Sequence, residues 1–166
     1  KFVKEGIDLN NNIFTQYDTL ESEQDLEYLL NTLSSLKKDS NGNHPKITML
    51  VLTHNPDFSR IKKSDFNAYF AEPVTESYKS YNYESLSILK QGMLNNLIDL
   101  ESHGREHLQT SRWLKALKDE SFQITRKAFN HSFFGIHPHI AKENRKDYQA
   151  AFDFDEINEI EQQKKI

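Results

Sequence analysis

Only Ile47-Thr48-Met49-Leu50-Val51-Leu52 forms the near-continuous apolar run required of a strand buried on both faces. Pro45 stands before it and Asn55-Pro56 after it, so both ends read as turns. A closed barrel needs such a run in every strand, and one is too few. A hydrophobic fraction of 36% and a mean hydropathy of -0.77 point the same way. Elsewhere helical and strand-like patterns alternate, as in an α/β domain. At 166 residues the chain reads as a single domain, 1–166.

Local signals place most of the elements. Ser22 followed by Asp25 has the form of a capping box, and Leu26, Leu29, Leu30, Leu33 and Leu36 then make a helical stripe ending near Lys37-Lys38. Asp39-Ser40-Asn41-Gly42-Asn43 is a surface turn leading into the buried Ile47 strand. Pro56-Asp57-Phe58 opens a short helix, with Asp57 read as its cap rather than as a ligand. Phe66, Tyr69 and Phe70 fall in an irregular stretch stopped by Pro73. A second amphipathic helix covers Tyr83 to Leu97, with Leu86, Leu89, Leu94 and Leu97 inward. Ile98-Asp99-Leu100-Glu101-Ser102 alternates apolar and polar residues and reads as a short strand running out into His103. Thr110 or Ser111 can cap the next helix, which carries Trp113, Leu114 and Leu117 on one face. Phe122 to Phe129 and Tyr148 to Ile160 read as mostly helical.

The segment His103-Gly104-Arg105-Glu106-His107 carries the chemistry, because two imidazoles four residues apart can hold one metal ion between them. It lies at a strand-to-helix junction. In α/β proteins the carboxyl end of a strand is where chemistry is usually placed. Read as His-x-x-Glu-His on one helix, the segment matches the inverted motif of a zinc metallopeptidase, with the glutamate polarising water. That reading requires a further glutamate ligand, for which Glu156 and Glu159 are the candidates. Gly104 opposes it, since glycine inside a helix costs roughly 1 kcal/mol relative to alanine. Read as His-x-x-x-His at a strand end, the segment fits a different enzyme.

Glu101-Ser102-His103-Gly104-Arg105-Glu106-His107-Leu108, followed by Arg112-Trp113-Leu114-Lys115-Ala116-Leu117, resembles bacterial proteins described as polysaccharide deacetylase-like. Gln16-Tyr17-Asp18-Thr19-Leu20-Glu21-Ser22, the Asn55-Pro56-Asp57-Phe58 turn and Phe133-Phe134-Gly135 are similar to that group too. The resemblance runs from about Gly6 to Phe154. It implies an α/β fold, a partial (β/α) barrel of the glycoside hydrolase/deacetylase type, here as a helix-rich piece. In the wider NodB-like superfamily an aspartate and the two histidines of a His-[Ser/Thr]-x-x-His motif hold a metal. His103 and His107 match those histidines, while Gly104 departs from Ser/Thr.

No Asp-Asp dipeptide, the superfamily's ligand and base, occurs in the chain. The opening Lys1-Phe2-Val3-Lys4-Glu5-Gly6 reads as a helix end closed by glycine, and the last residues read as an unfinished helix. The chain is therefore expected to be an internal piece of a longer protein, with the third ligand, the base and the acid off-chain. The resemblance implies a metal-dependent hydrolase that removes acetyl or other acyl groups from a polysaccharide, with a divalent metal, Zn2+ by preference. Alone, the chain is expected to bind zinc weakly and to release no acetate. A non-catalytic carbohydrate-binding or assembly module is the remaining alternative.

Other residues carry weaker signals. His54 lies at the carboxyl end of the Ile47 strand, the right end for lining a substrate pocket; its plainer role is a strand-end histidine bonded to backbone. Arg105 can hold a substrate oxygen, or pair with Glu101 or Glu106. Glu106 is a candidate base, although a carboxylate beside an arginine is more often a surface ion pair. Trp113 can stack on a sugar ring, yet its spacing from Leu117 favours the core. His137-Pro138-His139 reads as a solvated turn. A net charge of -4 provides no basic stripe, so nucleic acid is not an expected partner. No apolar stretch approaches the ~20 residues needed to cross a bilayer, and the absence of cysteine excludes disulfides and thiolate chemistry.

Overall fold

The computed structural model describes Lys4, residues 20–81 and 83–134, and Tyr148. Gly135, His137-Pro138-His139, the helix expected after Tyr148, and Glu156 and Glu159 lie outside the described residues, as does most of the stretch before Leu20. Among the described residues there are six helices and four short strands, a mixed α/β arrangement without a closed barrel. They group into two compact units. The first takes Thr19–Asn55 and Glu72–Arg105; the second takes Pro56–Ala71 and the residues from Glu106 onward.

The first unit begins with α1, Glu23–Ser35. Ser22 accepts from the Asp25 amide while the Asp25 carboxylate accepts from the Ser22 amide, so the capping box closes on both sides. Leu26 and Leu33 are buried on its inner face, whereas Leu36, just past its end, is exposed. Asp39 then holds the following turn by accepting from the amides of Asn41 and Asn43. Strand β1, Ile47–Val51, pairs in parallel with the later strand β4, Ile98–Ser102, in the register Ile47 to Ile98 through Val51 to Ser102.

One face of this pair is covered. Ile98 and Met49 pack with Leu26, Leu29 and Leu30 of α1, with Val74 and Tyr78 of α3 (Val74–Tyr81), and with Leu86 and Leu89 of α4 (Tyr83–Leu94). Gly92 permits this approach: a Cβ there would lie 2.8 Å from Leu30 Cδ2 and 2.9 Å from Ile98 Cδ1. The Ile47 run was expected to be buried, but Leu50 is 64% exposed. Its partner on β4, Glu101, is exposed as well, as are Thr48 and its partner Asp99. The cause is a sheet of two strands whose packed helices gather on one face.

Helix α4 also ends sooner than its apolar spacing suggests. Asn96 adopts φ 58°, the Asn96 amide donates to Met93 O and the Leu97 amide to Gly92 O. This is a Schellman closure with asparagine in the left-handed position. It turns Leu97 into the core, 4% exposed, and leaves Leu94 outside at 86%.

Tyr78 is buried, and its hydroxyl donates to Glu21 Oε2 at 2.7 Å. Burial first, and then the Glu21 carboxylate, pushes the phenol well above its ordinary value of 10.0. A phenol raised in the folded state contributes stability that is whole below the unfolded value, near 10, and is lost as pH rises toward the folded one. Urea midpoints should therefore fall between pH 9 and pH 11. Tyr78→Phe should flatten that fall, and an equal fall in both proteins would count against this role for Tyr78.

In the second unit α2, Phe58–Lys63, is capped by Asp57, which accepts from the Arg60 amide at 2.9 Å. Asp57 is thus the cap that its sequence position suggested. Asp57→Ala should lower stability by about 1 kcal/mol in chemical denaturation, while Asp57→Asn should keep most of the loss from appearing. Helix α5, Thr110–Lys118, is capped by Gln109 through its side-chain oxygen on the Arg112 amide, not by Thr110 or Ser111, which are already helical. Its carboxyl end receives Arg126 of α6 (Gln123–Asn130), whose guanidinium donates to Leu117 O and Lys118 O. Trp113, Leu117, Ile61, Leu108 and Phe129 form the core of this unit.

Strands β2, His54–Pro56, and β3, Ala71–Pro73, form the other two-stranded sheet. No described helix is long and apolar enough to cross a membrane.

Candidate functional site

The carboxyl ends of β1 and β4 meet because their ladder continues past the last paired residues. The His103 amide donates to Val51 O at 2.8 Å, the Thr53 amide to Gly104 O at 3.1 Å, and the His54 amide to Arg105 O at 2.8 Å. Two of the candidate residues, His54 and His103, are thereby brought to one end of one parallel pair. His54 is half-buried, and its Nδ1 lies 2.9 Å from Thr53 Oγ1. His103 is exposed.

Gly104 has φ +99°, a conformation that side chains with a Cβ rarely adopt, although nothing lies within 4 Å of where a Cβ would be. Glycine is required here by the backbone and not by space. The turn that permits the Thr53 contact therefore accounts for the glycine at this position.

No helix runs through His103–His107: β4 ends at Ser102 and α5 begins at Thr110. The two imidazoles are consequently not presented from one helix as the inverted peptidase motif requires. His107 is exposed and Glu106 and Arg105 are half-buried. His107 and Glu106 belong to the second unit, and His54, His103 and Arg105 to the first. Among the described residues no three His, Asp or Glu side chains converge on a point that would hold a metal ion. The histidines supply at most part of a catalytic zinc set, which normally has three protein ligands.

Trp113 is fully buried, in contact with the rings of Phe58, Phe129 and Phe134. Neither face is available to a sugar, so its role is in the core.

A polar chain beside His54 was not visible in the sequence. Asn55 Nδ2 donates to Ser77 Oγ at 2.9 Å, and Ser77 Oγ donates to Glu72 Oε1 at 2.8 Å. Ser77 is 2% exposed. The chain fixes the residue after His54 to the first turn of α3, and it holds the loop that leaves β1. The pairing of β2 with β3 and the facing of Thr53 and Val74, whose amide donates to Thr53 O, bring these residues together.

Comparison of the chain with protein-family models, with curated proteins and with solved structures yields no match.

Proposed function

We propose that the protein is a metal-dependent hydrolase that removes acetyl or other acyl groups from a polysaccharide, and that its sheet is part of an incomplete (β/α) barrel of the deacetylase type. The observation that carries this reading is the parallel pairing of β1 with β4, with His54 and His103 at its carboxyl end. The four-residue spacing of His103 and His107 is its sequence support. These two imidazoles would hold the divalent metal, Zn2+ by preference, whose chemistry is to bring a bound water's pKa near neutrality and to polarise a carbonyl.

The chain's own residues have simpler tasks. Arg105 holds a substrate oxygen, His54 lines the pocket, and Glu106 is the carboxylate nearest in sequence to take a proton. A second reading is a non-catalytic carbohydrate-binding or assembly module, in which the histidines serve structure. Acetate release from acetylated glycan oligomers by the full-length protein separates the two. Release that is abolished by a chelator supports hydrolysis by this site; glycan binding without release supports the module.

A further inference from the structure

We draw no further inference here: the strongest candidate, the uncovered face of the β1–β4 pair where Leu50 stands 64% exposed opposite Glu101, carries nothing, because nothing in the structure shows what covers it.

Discussion

Trp113→Ala should lower stability by about 3–5 kcal/mol, the cost of removing a large aromatic side chain from a packed core. The indole is fully buried, with ring centroids of Phe58, Phe129 and Phe134 at 6.0, 5.6 and 6.3 Å. Most of that loss is packing. Trp113 Nε1 has no hydrogen-bond partner among the described residues, so truncation removes ring contacts without breaking a polar bond. Trp113→Phe should accordingly cost much less, since it keeps an aromatic ring and deletes the unpaired N–H. Native domains are stable by only ~5–15 kcal/mol, so the alanine variant should unfold at a clearly lower urea concentration.

Because Trp113 is the sole tryptophan, the comparison is made by far-ultraviolet circular dichroism in urea rather than by fluorescence. Equal midpoints for Trp113→Ala and the unaltered chain would contradict the core assignment.

What was legible in the sequence was local. Ser22 with Asp25, Asp57 before Phe58, and the Asp39 turn each rest on hydrogen bonds spanning two to four residues, and those can be read from spacing. The parallel pairing of β1 with β4 accords with another pattern: an apolar run and an alternating strand separated by helical patterns have few other ways to pack. Competition between neighbours was not legible. Gln109 caps α5 although Thr110 and Ser111 have the better intrinsic preference, and Asn96 ends α4 one residue before the last leucine of its stripe. The exposure of Leu50 depends on which faces helices cover. Likewise the Asn55, Ser77 and Glu72 chain depends on the pairing of two three-residue strands, whose short sequences carry too little pattern to show it.

On the proposed hydrolase reading, replacing His103 or His107 with alanine should abolish acyl hydrolysis while leaving the fold largely intact. Both side chains are exposed and neither belongs to a described core, so truncation removes little packing. In the proposed metal site, however, each should matter more than an outer residue whose loss typically costs about 10–100-fold in metal affinity. The proposed hydrolysis should fall to background in either variant, with an unchanged far-ultraviolet spectrum. His54→Ala, which removes the side chain proposed to line the pocket together with its contact with Thr53 Oγ1, should weaken substrate binding and retain measurable turnover.

The most direct test of the site is a calorimetric titration of this chain with Zn2+, beside the His103→Ala/His107→Ala double variant. Two imidazoles with no third ligand converging on them among the described residues should give weak uptake by the unaltered chain at a single site, and none by the double variant. Equal zinc uptake by the two proteins would place the metal elsewhere and contradict the assignment of these histidines.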